Sequence, residues 1–249
     1  MGPSACIQFQ QLLLDKSATL FNVPIDQNHI PTVTINDGQI PNRNDAIRSQ
    51  DKQALSLIGD SIAAITKKLC LCEVDIIVCC CNTAHFFQSH IESAIQSYSN
   101  SNSNSRPTFV SMIDLTTEKV SSMMHSRFTH KTKVAVLAGS GGCDSGLYQS
   151  SLSEANIHHY FPPPNLQEIL MISIYDVKAG NLQIAKKNMR IILDHFIEQE
   201  VKVILMACTE VPCIMRELSA EFDFFLIDCM EILAADVVAR CYDAGAKLE

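Results

Sequence analysis

Two runs of this sequence constrain its fold more than anything else: Val74-Asp75-Ile76-Ile77-Val78-Cys79-Cys80 and Val201-Lys202-Val203-Ile204-Leu205-Met206. Both are almost continuously apolar and rich in β-branched residues. A strand with one face in water alternates apolar and polar side chains, so an unbroken run reads as a strand buried on both faces, as in a parallel sheet covered by helices. Further β-rich runs predict strands over 32–35, 108–111, 133–138, 157–160 and 224–227. Helical periods lie between them. Ile47, Ala54, Ile58, Ile62, Ile65 and Leu69 form one apolar stripe, which predicts a single long helix. Residues 115–127, 181–199, 209–220 and 229–242 have the same character. Strand–helix alternation predicts an α/β fold, and right-handed crossovers restrict its topology.

The two halves share a layout. The second runs strand, Gly-rich turn (139–142), helix, strand, helices, strand (201–206), Cys-Thr, helix, strand. The first runs Met1-Gly2-Pro3, helix, strand, helix, strand (74–80), Cys-Asn-Thr, helix, strand. The expectation is two similar domains, each a parallel sheet flanked by helices, with the active site in the cleft between them. Residues 1–114 plus 229–249 make the first and 115–228 the second. The first half shows no strand before its opening turn, which predicts that a segment ahead of Met1 is missing. The tract Tyr98-Ser-Asn-Ser-Asn-Ser-Asn-Ser-Arg106 is too polar to enter a core and reads as a surface loop.

A formal net charge of −8 argues against nucleic acid, whose binding needs clustered Lys and Arg. No stretch reaches the roughly 18 continuous apolar residues of a membrane span, and the N-terminus lacks the pattern of a signal peptide. Eleven cysteines, an odd number without regular spacing in a chain of 249 residues, read as reduced thiols, hence a cytoplasmic protein. Cys79, Cys80 and Cys81 do not read as a metal site, because successive strand residues face opposite sides. Cys70-Leu71-Cys72 lacks zinc spacing. Cys70, Cys72, Cys79 and Cys80 are expected to be buried structural thiols.

Cys81-Asn82-Thr83-Ala84-His85 and Cys208-Thr209-Glu210-Val211-Pro212 are different. Each cysteine falls where a predicted strand ends and a helix begins, the place where open α/β sheets bind ligands. Helix N-termini offer free N–H groups and partial positive charge, which predict a lowered thiol pKa and a seat for a carboxylate. Thr83 and Thr209 add hydroxyl donors. Two acid/base groups on opposite faces of a carbon, one protonated and one not, can invert a stereocentre in either direction.

On these motifs the chain resembles the aspartate/glutamate racemase family, and its aspartate racemase branch. Met1-Gly2-Pro3, Pro41-Asn42-Arg43, Ile113-Asp114 at a strand end, Tyr175-Asp176-Val177-Lys178-Ala179-Gly180 and Ile227-Asp228 support the two cysteine motifs, so the likeness spans nearly the whole chain. Glu210 stands where glutamate racemases usually carry His, which favours the aspartate branch. Cys80 stands where a Pro usually precedes the first catalytic Cys, and the 139–142 turn lacks the usual Thr near its start.

The resemblance implies a cofactor-independent isomerase acting on a small acidic amino acid or dicarboxylate, with no metal, as a homodimer. It implies Cys81 and Cys208 as the catalytic pair. Met1, Arg43, Asn82, Thr83, Lys178 and Thr209 would bind substrate, with His85 and Glu210 in support. The alternatives are a single-thiol decarboxylase or isomerase of a dicarboxylate, and an inactive truncated relative. Gly139–Gly142 invites a nucleotide-binding reading. It lacks the Gly-x-Gly-x-x-Gly spacing, position 144 being Asp, and there is no Walker Lys, so a tight strand–helix turn near the substrate is expected instead.

Overall fold

The two apolar runs do form strands, and their alternate side chains enter different cores. In the computed structural model, which describes residues 2–23, 25–98, 106–129 and 131–245, the chain runs through α1 (Pro3–Phe21), α2 (Arg43–Ser49), α3 (Lys52–Leu71), β1 (Ile76–Val78), a 3-10 turn (Asn82–Phe87), α4 (Gln88–Ser97), β2 (Thr108–Val110), α5 (Met112–Arg127) and β3 (Val134–Val136). It continues through α6 (Ser140–Asp144), α7 (Leu147–Glu154), β4 (His159–Tyr160), α8 (Pro164–Lys178), α9 (Leu182–Glu198), β5 (Val203–Met206), α10 (Val211–Leu218), β6 (Phe225–Asp228) and α11 (Cys229–Gly245). Every strand pairing among the described residues is parallel, and helices flank the strands, so the fold is α/β as expected.

β1 pairs with β2, and the second sheet has the order β4-β3-β5-β6. Ala135, Leu137, Ile204 and Met206 pack with the apolar faces of α8, α9 and α10. Val134, Val136, Val203 and Leu205 point the other way, into a core shared with α1, α5, α7 and α11. The unbroken apolar run is therefore a strand buried on both faces. β1 behaves alike: Ile77 enters a core with α3 and α4, while Ile76 and Val78 pack against the core on its opposite face. In the second sheet the chain goes from β3 to β4 on one side and to β5 on the other. The crevice at such a reversal opens at the carboxyl ends of β3 and β5, where Gly139 and Cys208 lie.

Three expectations change. Residues 32–35 are not a strand: Thr32, Val33 and Thr34 are exposed, and β1 pairs with β2 alone among the described residues. Pro31 contributes no N–H, and Thr34 Oγ1 instead accepts from Gln10 Nε2 of α1 at 2.8 Å. The long helix is two helices. Gln50 takes a left-handed φ of 53°, and the Asp51 side chain then caps α3 by accepting from the backbone N–H groups of Gln53 and Ala54. The Gly-rich run is not a turn but the start of α6. The polar tract falls mostly on 99–105, outside the described residues. No helix among them is long and apolar enough to cross a membrane.

Candidate functional site

Cys208 follows β5 by one residue, Ala207, and is half-buried. Its Sγ donates to Glu210 Oε2 at 3.1 Å, and Thr209 Oγ1 donates to the same oxygen at 3.1 Å. Lys178 Nζ, from the end of α8, lies 3.5 Å from Glu210 Oε1. Three of the predicted site residues are thus held around the buried carboxylate of a fourth, Glu210. Burial, and then the charge of Glu210, push the Cys208 thiol well above its ordinary value, with Lys178 opposing more weakly. This overturns the expected lowered pKa. The helix proper starts at Val211, so Glu210, not a run of free N–H groups, is what the sulfur meets.

Cys81 follows β1 with extended backbone, ahead of the 3-10 turn Asn82–Phe87, and is half-buried. His85 fixes its main chain. The Met112 N–H donates to His85 Nε2 at 3.1 Å, so Nδ1 carries the proton and donates to the Cys81 carbonyl at 2.9 Å. His85 therefore caps the start of α5 and ties it to the Cys81 loop. Burial pushes its pKa below the usual imidazole value, so it is neutral at neutral pH. Asn82 is buried, and its Oδ1 accepts from Tyr148 Oη at 2.6 Å. Burial pushes the thiols of Cys79 and Cys80 up as well. Cys70 and Cys79 are buried as expected, whereas Cys80 is half-buried and Cys72, at the end of α3, is exposed.

The glycine run joins the two motifs' surroundings. Asn44 Oδ1 of α2 accepts from the Gly141 N–H at 3.0 Å. A Cβ on Gly141 would stand 2.6 Å from Asn44 Oδ1, 2.8 Å from Asn44 Cα and 2.9 Å from Thr83 Cγ2. Glycine is required there because backbone from both halves meets without room for a side chain. Helix α1 spans the same region. Gly2 lies beside Glu210, and Gln8 Nε2 donates to Cys213 Sγ at 3.0 Å.

Arg43 opens α2. One of its nitrogens, Nη1, donates to the Pro41 carbonyl at 3.4 Å, while its Nε is buried without a hydrogen-bond partner among the described residues. Met1 lies outside the described residues. Ile227-Asp228 ends β6 as expected, with Asp228 Oδ1 accepting from Met230 N at 2.8 Å, but Ile113-Asp114 lies in the first turn of α5 and not at a strand end. A separate surface groove of about 550 Å³ between α5 and α7 is lined by Asp114, Glu118 and Glu154. Its carboxylates would repel an anion, and it holds none of the predicted site residues. Sequence reasoning missed Asn44 and Tyr148, whose partners lie 97 and 66 residues away, and nothing in their local sequence marks them.

A family model described as Asp/Glu/Hydantoin racemase matches residues 13–237. The fold is similar to the aspartate racemase of Picrophilus torridus, with 30% identity, a TM-score of 0.74, and coverage of 96% of this chain and 90% of that one. It is also similar to an aspartate racemase homologue from Pyrococcus horikoshii OT3, with 16% identity, a TM-score of 0.65, and coverage of 93% and 94%, a likeness of fold alone. An uncharacterised protein of Pectobacterium carotovorum subsp. carotovorum is 29% identical over 112 residues, 45% of this chain and 71% of that protein. With a match that runs from α1 into α11 and takes in both cysteine motifs, the chain belongs to the Asp/Glu/hydantoin racemase family.

Proposed function

We propose that this protein is a cofactor-independent racemase that interconverts L- and D-aspartate, with Cys81 and Cys208 as the two acid/base groups. Family membership and a 30% identical aspartate racemase support the reaction class and the substrate. The observation that carries the two-base reading is the Cys208–Glu210 contact. A two-base inversion needs one group that holds a proton at rest, and a half-buried thiol donating to a carboxylate 3.1 Å away is such a group. Cys81, as thiolate, takes the α-proton from one face while Cys208 returns its own to the other. In the opposite direction the roles exchange: Cys208, left as thiolate by its donation, takes the α-proton, and Cys81 returns the proton it gained. Arg43, whose buried Nε has no hydrogen-bond partner among the described residues, and Lys178 supply cations for the two carboxylates. Asn82, Thr83 and Thr209 supply neutral donors.

The test is incubation with L-aspartate in D2O, following optical rotation and deuterium at Cα. Wild type should incorporate deuterium as it racemises. Cys81→Ala and Cys208→Ala should each lose about 100-fold or more, the range expected for removing a general acid or base. Full racemisation by both variants would refute the reading. Release of CO2, or a covalent adduct on one cysteine, would point to single-thiol chemistry instead.

A further inference from the structure

Asn82 stands next to Cys81, and its amide oxygen is already engaged by the protein. That oxygen accepts the Tyr148 hydroxyl at 2.6 Å, in a contact where both side chains are buried. Tyr148 belongs to α7 in the other half of the chain, and its hydroxyl has a second neighbour, Cys229 Sγ, at 3.2 Å. Cys229 Sγ lies 3.1 Å from the Met206 carbonyl, two residues before Cys208. Proton accounting fixes the directions. Cys229 has one proton, and the Met206 carbonyl can only accept it. The Tyr148 proton then goes to its shortest contact, Asn82 Oδ1. Burial drives the Tyr148 pKa well above its ordinary value, so the hydroxyl remains a donor throughout the working range.

An amide held by its oxygen on one side turns its NH2, its only donor group, to the other. We infer that Tyr148 is a positioning residue, which by occupying the Asn82 oxygen turns the Asn82 NH2 toward the substrate carboxylate beside Cys81 and anchors that amide to the strand end that carries Cys208. This rests on the racemase reading for the identity of the ligand. It differs from a plain packing role, because a phenyl ring in the same place would fill the same volume but leave the amide free to rotate and its buried oxygen without a donor.

The test is a double-mutant cycle on aspartate affinity. The Kd is measured by calorimetry, and KM and kcat by the D2O assay, in wild type, Tyr148→Phe, Asn82→Ala and the double variant. Losing an oriented donor to a carboxylate should raise Kd and KM about 10-fold or more, with kcat changed little. The double variant should be no weaker than Asn82→Ala, because the two groups act as one. Leu152→Ala is the control: this fully buried neighbour one turn along α7 should lower the melting temperature and leave Kd unchanged. The inference is overturned if Tyr148→Phe lowers the melting temperature as Leu152→Ala does without moving Kd, or if its effect multiplies that of Asn82→Ala. Wild type that binds aspartate without racemising it removes the proposed activity and leaves the cycle on Kd decisive. Wild type that does not bind aspartate overturns both.

Discussion

Replacing Gly141 by alanine tests whether the junction between the two cysteine motifs is as tight as the geometry indicates. The new methyl carbon would lie 2.6 Å from Asn44 Oδ1, 2.8 Å from Asn44 Cα and 2.9 Å from Thr83 Cγ2. The oxygen could rotate away, but Cα is backbone and moves only if α2 moves. Overpacking of this kind costs about 1–3 kcal/mol. Displacing Asn44 also weakens its hydrogen bond from Gly141 N–H, a net contribution of about 1 kcal/mol. Against this, alanine is favoured over glycine within α6 by about 0.5–1 kcal/mol. The balance is a destabilisation of about 1–3 kcal/mol, which for a chain of this size lowers Tm by about 2–12 °C. Gly142→Ala is the internal control. Its methyl would meet Ala138 Cβ at 3.3 Å and Thr83 Oγ1 at 3.9 Å, so its stability should stay within about 1 kcal/mol of wild type. Calorimetric melts of the three proteins, with racemisation assayed on each, decide the matter. Gly141→Ala should melt lowest and lose activity through the displaced Thr83. If it melts with wild type, or if Gly142→Ala is the worse of the two, the account of a glycine-only junction fails.

Other consequences are simpler to measure. Glu210→Gln removes the charge that helps hold Cys208 protonated, so Cys208 should react faster with iodoacetamide at a fixed pH near 8; an unchanged rate would mean that burial alone sets its reactivity. His85 has a folded pKa below 6.5, so the unfolded chain binds the proton more readily as pH falls. Its contribution to stability is therefore intact above 6.5 and lost as pH drops from there toward the folded value. His85→Asn should flatten that part of a Tm-against-pH curve, and a curve of unchanged slope would show that other groups produce it. The ion pairs Lys186–Glu217 and Arg190–Glu221, which clip α9 to the segment of α10 and just beyond, should contribute little to stability, and the small coupling that charge-removing double-mutant cycles report should shrink further as salt rises.

The parts of the fold that could be read from sequence are those where a local pattern had one physical solution. Val203–Met206 had to be buried on both faces, and it is. The helix over 229–242 and the cysteines at the ends of β1 and β5 followed from the same alternation. Reading failed where two local solutions competed. Ile47 and Ala54, seven apart, fit one continuous helix, but Asp51 between them gains more as a cap than as a mid-helix side chain. Thr32-Val33-Thr34-Ile35 has strand propensity, which only a neighbouring strand converts into a strand. At Cys208 the local rule of helix-start acidity gave way to burial and to a carboxylate two residues on. The Tyr148–Asn82 and Asn44–Gly141 contacts belong to tertiary structure entirely, and periodicity carries no trace of them.

The carboxylate of Glu210 holds Cys208, Thr209 and Lys178 together before any ligand arrives. An anion that takes Lys178 therefore enters as a competitor, exchanging one ionic partner for another rather than creating a new pair. Its binding energy at that end is a difference between two similar attractions, so that end adds little affinity. The exchange gives the site a way to couple ligand arrival to the thiol: once Lys178 has turned to the incoming carboxylate, its opposition to the Glu210 charge is spent, and the proton is held more firmly on Cys208 until the substrate calls for it.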